Sequence, residues 1–172
     1  MMVVGTWVKK VVGMVAVFLP VMVTFDELVG FVGRVDGPSM QPLLNPVDQR
    51  QSDLVWIKRW NAFRRPLTSG AVVAVKSPTD PGCVLIKRVV ALEGDAMETR
   101  DADSCHTIPQ GHLWVEGENA SNSRDSNLFG PIPQGLVMGQ ATHIVWPPHR
   151  WGHLEATLSP DQIARRTRRK EE

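Results

Sequence analysis

Cysteine is scarce here: Cys83 and Cys105 are the only two in 172 residues. Neither has metal-ligand spacing around it. No polar cluster flanks either one, which argues against a thiol nucleophile. They allow at most one disulfide, and whether they pair depends on how close the fold brings them. An excess of one charge is also missing. The net charge of +1 gives no global pull toward nucleic acid or an acidic partner. The chain lacks internal repeats, a glycine loop that would cradle phosphate, a His/Cys metal cluster and an aromatic-basic surface. No cofactor, metal or nucleic-acid partner is therefore expected. What remains is an ordinary globular composition, 42% hydrophobic and 22% charged, long enough for one domain with a real core.

The N-terminal apolar run falls short of a full membrane span. Val11 to Phe25 carries no charge over 15 residues, where a span typically needs about 20. Lys9 and Lys10 precede it, Asp26 and Glu27 follow, and apolar character resumes from Leu28 to Gly33. Basic then apolar is the order of a signal peptide or an anchor. No small-x-small cleavage site stands before Asp26, which favours a retained anchor somewhere within residues 8–33. A span from Val8 to Phe25 with a slanted end would leave the acids wet at the far interface. The two lysines would mark the side from which translocation begins. The lipid bilayer is thus an expected partner.

After Gly37 the apolar runs become short. Asp53 to Lys58, Ala71 to Lys76, Val84 to Leu92, His112 to Glu116 and Gln140 to Trp146 are rich in β-branched or large apolar residues. Turn formers separate them: Arg65-Pro66, Ser69-Gly70, Ser77 to Gly82, Glu93 to Asp95, and Gly130 to Pro133. This pattern predicts a mainly β domain over residues 34–152. Residues 153–172 read as a tail. Within it Ser159-Pro160 suits a helix start, as N-cap followed by proline. The basic run from Arg165 to Lys170 reads as a frayed, solvated end.

Two segments carry chemistry. In Gly37-Pro38-Ser39-Met40-Gln41-Pro42, glycine and two prolines restrict the backbone around one serine. A nucleophile benefits from that rigidity, since a misplacement near 1 Å can cost about 10²-fold in rate. In Val84 to Leu92, strand alternation puts Leu85, Lys87, Val89 and Ala91 on one face. A lysine among apolar neighbours loses its charge more easily, and a neutral amine can act as a general base. Taken alone, each segment has a plain structural explanation: a turn serine and an edge lysine reaching to water. Together they supply a serine nucleophile and a lysine base in place of histidine. The separation of 48 positions in sequence is no obstacle.

Gly37 to Pro42 resembles the Gly-x-Ser-Met-x-Pro box of type I signal peptidases. Ile86 to Asp95 resembles the family's lysine box. Gly117-Glu118-Asn119 with Asn122 to Gly130 resembles its last box, in the family's order. The resemblance spans about residues 35 to 150. It implies a signal-peptidase-like β-barrel or sandwich with an N-terminal transmembrane helix. It also implies Ser39 and Lys87 as a catalytic dyad, with Ser123 orienting the Lys87 ammonium and Asp125 behind it. Met40 and Arg88 accompany the dyad as supporting residues. Departures are Ser69-Gly70-Ala71 in place of Arg-Gly-Asp, Asn127 where bacterial relatives usually carry arginine, and Gly37 where some contribute a hydroxyl. Gly111 to Gly117, Phe129 to Pro133 and Ala141 to Pro148 are similar to the mitochondrial inner-membrane branch of the family. That branch implies an anchor in the inner membrane, a catalytic domain in the intermembrane space, precursor proteins with cleavable presequences as substrates, and a heterodimer with a related subunit. Two rivals belong to other classes: a non-catalytic tethered subunit that stabilises a related peptidase, and a self-cleaving repressor. The second would need an N-terminal helix-turn-helix, whose place the apolar start occupies.

Overall fold

The computed structural model describes residues 2–28, 30–49, 51–59, 66–101 and 104–167. Side chains of the N-terminal helix are described at residues 7, 8 and 10–21. Lys9, Asp26 and Glu27, Arg65 and the tail from residue 168 onward therefore lie outside the described side chains.

Helix α1 (Met2–Leu28) precedes β1 (Gly30–Arg34), β2 (Leu54–Arg59), β3 (Val72–Lys76), β4 (Val84–Leu92), β5 (Ala96–Glu98), β6 (Cys105–Thr107) and β7 (His112–Glu116). Then come α2 (Ser126–Phe129), β8 (Ile132–Pro133), β9 (Val137–Trp146), β10 (Gly152–His153), α3 (Pro160–Arg165) and β11 (Arg166–Thr167). The main sheet runs in the order β1-β2-β9-β3-β4-β7-β8, with β10 on β9, and a smaller sheet runs β11-β5-β6. Its pairings are antiparallel, as are those of the main sheet.

Strand β3 sits near the middle, and its sequence shows why. Val72-Val-Ala-Val75 has no polar alternation, and all four residues are buried. Val72 and Ala74 join one apolar cluster with Met40, Leu44, Val55, Ile57 and Ile144. Val73 and Val75 join a second with Val89, Leu113, Val115 and Ile132. A strand covered on both faces reads as a continuous apolar run. Each buried valine contributes about 1.5–3 kcal/mol before conformational entropy is charged. A third cluster, with Met97, Ile108 and Trp114, packs beside the small sheet.

Three sequence expectations change. The sheet begins inside the segment read as anchor: Gly30 to Arg34 pair with Lys58 to Leu54 as strand β1. The alternation predicted along β4 breaks at a register shift between Val89 and Ala91. Val90 and Ala91 both enter the third cluster, as an extra residue in a bulge allows. The tail is docked at least as far as β11. Ser159 caps α3 with a full capping box, and Arg165 and Arg166 bind the buried acids Glu116 and Asp95. Buried carboxylates need cationic partners, and these two arginines supply them. Cys83 and Cys105 are exposed free thiols. Among the described residues no helix is long and apolar enough to cross a membrane.

Candidate active site

Ser39 lies in a tight turn between β1 and β2. The Gln41 N–H donates to the Pro38 carbonyl at 3.1 Å, closing the turn over it. Gly37 enters the turn at φ 86°, a left-handed conformation that glycine adopts without strain. Met40, 1% exposed, plugs the turn into the first cluster. From the other side the Asn119 N–H donates to the Ser39 carbonyl at 3.1 Å. Backbone, core and a neighbouring loop thus fix the serine independently.

Lys87 comes from β4, opposite Val73 of β3. Its residue is 2% exposed, and its Nζ lies 2.7 Å from Ser39 Oγ. Burial lowers its pKa from 10.5 to about 8; Asp125 pulls the other way, and Arg100 adds to the lowering. An amine in this state is uncharged in a useful fraction of molecules near neutral pH.

The neighbouring Arg88 is buried at 4% exposure. It pairs with Glu118 and donates to the carbonyls of Gly70 and Glu155. It therefore braces the loop that holds Ser39, and among the described residues its side chain makes no hydrogen bond to Ser39 or Lys87. Glu118 is thus its ion-pair partner, in a chain that has Ser69-Gly70-Ala71 in place of Arg-Gly-Asp.

Ser123 and Asp125 meet each other. Ser123 Oγ donates to Asp125 Oδ2 at 2.6 Å and makes no hydrogen bond to Lys87 among the described residues. Asp125 is 1% exposed, and both its oxygens are used. Oδ2 also accepts from the Gly117 N–H at 2.9 Å and Arg100 Nη1 at 3.1 Å. Oδ1 accepts from Asn127 through its backbone and its amide.

Sequence reasoning missed three members. Arg100 gave no local signal. Gly117 was quoted within a box but given no role; a Cβ there would lie 2.3 Å from Ser123 Oγ. Glu116, fully buried, ends an apolar strand, and that was the one available hint. Burial alone would raise its carboxyl, but hydrogen bonds from Arg165, Trp114 and Asn127, with the Arg100 charge, hold it at about 2. An open cavity of about 440 Å³ adjoins, lined by Arg100, Asp101, Ser121, Ser123, Asp125 and Asn127 among others. Among the described residues no group of three or more His, Cys, Asp or Glu could hold a metal.

The family described as signal peptidase, peptidase S26, matches residues 4–104 and 97–146. The chain belongs to that family. It is a serine peptidase of the signal peptidase type, a hydrolase. Among curated relatives, mitochondrial inner membrane protease subunit 2 of Mus musculus is 44% identical over 152 residues, 88% of this chain and 87% of its own. The protein of the same name in Saccharomyces cerevisiae is 39% identical over 155 residues, 87% of each chain. Mitochondrial inner membrane protease subunit 1 of Homo sapiens is 38% identical over 135 residues, 76% of this chain and 78% of its own. A solved signal peptidase I from Enterococcus faecalis aligns at TM-score 0.40 and 22% identity, covering 45% of this chain and 98% of that one.

Proposed function

We propose that this signal peptidase family member is a membrane-anchored endopeptidase that removes presequences from precursor proteins reaching the mitochondrial intermembrane space. It acts by acyl transfer through Ser39 and Lys87. One observation carries this reading: a buried amine 2.7 Å from a serine hydroxyl, within general-base reach.

Neutral Lys87 takes the Ser39 proton as Oγ attacks the scissile carbonyl. The developing oxyanion takes a hydrogen bond from the Ser39 N–H, which has no acceptor among the described residues. One such donor contributes about 3 kcal/mol to transition-state stabilisation. The Lys87 ammonium then protonates the leaving amine. Once neutral again, it deprotonates the water that cleaves the acyl-enzyme. Asp125 keeps Ser123 and the Gly117 backbone in place behind the pair.

The anchor is α1. Its 27 residues would run for about 40 Å as a helix. Large apolar side chains stand exposed around it, including Trp7, Val12, Val17, Phe18 and Leu19. The exposed apolar stretch of α1 from Val11 to Val21 needs a non-aqueous cover, and a bilayer supplies one. Location in the mitochondrial inner membrane, with the catalytic domain in the intermembrane space, and pairing with the related subunit 1 are supported by the names of the relatives.

The test is Ser39→Ala and Lys87→Ala, made separately in the full chain. Each is expected to abolish precursor cleavage while leaving the membrane-bound protein at normal abundance. Cleavage at the wild-type rate by either variant overturns the dyad.

A further inference from the structure

We propose that Arg100 is the positioning residue of this site: its guanidinium, brought in by the segment after β5, holds the Asp125 carboxylate and the Gly117 peptide in place behind Ser39 and Lys87. The inference deepens the dyad reading and rests on it.

Arg100 is gripped at both ends. Its backbone N–H donates to Asn127 Oδ1 at 2.9 Å, which fixes where the side chain starts. Its Nη1 donates to Asp125 Oδ2 at 3.1 Å, and its Nη2 to the Gly117 carbonyl at 3.0 Å. A further ion pair reaches Glu116 at 3.4 Å. The Gly117 peptide is thus held from two sides, since Asp125 accepts its N–H at 2.9 Å. A planar fork can serve a carboxylate and a carbonyl at fixed angles; a lysine ammonium cannot reproduce that geometry.

Gly117 transmits the constraint. A Cβ on this residue would lie 2.5 Å from the Ser39 carbonyl and 2.3 Å from Ser123 Oγ. The backbone that Arg100 holds is therefore in contact with the backbone of the nucleophile. Asn127 cannot take over the charge, because its amide is neutral. Its Nδ2 already serves Asp125 and Glu116.

The charge has a second effect. The titratable groups acting on Lys87 are Asp125 from the turn before α2, Arg100 from the segment after β5 and Cys83 from the turn before β4. Asp125 favours the ammonium, and Arg100 opposes it. Removing the guanidinium leaves a buried carboxylate that draws a proton onto Lys87. The base then becomes available only at higher pH.

The experiment follows acylation of Ser39 by p-nitrophenyl acetate against pH. It uses the full chain in lipid vesicles and locates the adduct by peptide mass. In Arg100→Gln the midpoint of the rate is expected to rise by on the order of half to one pH unit. In Arg100→Lys the midpoint stays near wild type, while the rate falls about tenfold because the fork is lost. A purely structural role would lower the melting temperature or the amplitude and leave the midpoint in place. That result in Arg100→Gln overturns the proposal. If Arg100→Gln does not fold, Arg100→Lys decides, and a wild-type rate in it overturns the proposal. Wild-type acylation in Lys87→Ala would remove the dyad and the proposal together. Lys87-dependent acylation with an unmoved midpoint in Arg100→Gln removes the Arg100 role alone.

Discussion

Gly117 backs directly onto Ser39: a Cβ on residue 117 would sit 2.5 Å from the Ser39 carbonyl oxygen. Real Cβ atoms do not tolerate that approach to backbone, so Gly117→Ala must push the two segments apart. A shift near 1 Å at a nucleophile lowers the rate by about 10²-fold. Precursor cleavage by Gly117→Ala is expected to fall by about that factor. A wild-type rate would show that the turn gives way elsewhere.

The reaction should speed up as pH rises through about 8, the lowered pKa of Lys87. Below that value the amine is protonated and cannot accept the serine proton; above it the rate levels off. The kcat/KM profile of a peptide substrate measures this free-enzyme pKa. A rate independent of pH from 6 to 9, with folding intact, contradicts a titrating base.

Lys87→Met is expected to destroy activity and stabilise the fold at neutral pH. The folded pKa of about 8 lies below the ordinary 10.5, so at pH 7 folding must bury a charge. That penalty is full below pH 8 and fades as pH climbs toward 10.5, where the unfolded chain also loses its proton. Wild-type unfolding free energy should therefore rise across this window. The methionine variant should lack that rise and gain about 2–3 kcal/mol at pH 7. Denaturant unfolding at pH 7 and pH 10 separates these outcomes.

Arg165→Ala strips the buried Glu116 of its two shortest charged contacts, at 3.0 and 2.8 Å. Trp114, Asn127 and Arg100 remain. The expected loss is about 2–3 kcal/mol, read by thermal unfolding. The Glu116 carboxyl sits at about 2, below its usual 4.5. Its contribution is present above pH 4.5 and disappears as pH falls toward 2. Without Arg165 that carboxyl rises, and acid unfolding should begin at higher pH than in the wild type.

Much of the sheet was legible because its strands are long and β-branched. Val84 to Leu92 begins and ends where the sequence suggested. Strand β1 escaped because Gly30-Phe-Val-Gly-Arg34 continues the apolar character of α1, and only pairing with β2 sets it apart. Strands β5, β6 and β11, of three residues or fewer, are too short to carry a period. In the site, Ser39 and Lys87 stand in restricted or apolar surroundings that draw attention locally. Arg100 does not: it lies 25 positions from Asp125 in an unremarkable turn. Arg165 looked like part of a solvated basic tail for the same reason. The acid that needs it is 49 positions away, and no local pattern records that need.

Helix α1 ends at Leu28 and β1 starts at Gly30, so the route from the proposed anchor to the proposed nucleophile is short. Eleven positions (39 − 28) separate Leu28 from Ser39. Even a taut chain of that length reaches no more than about 40 Å. With α1 held at a bilayer as proposed, the peptidase would work on a leash. It would reach only bonds that surface close to that bilayer, and how far a precursor emerges before it is cut would be set by the enzyme's own tether.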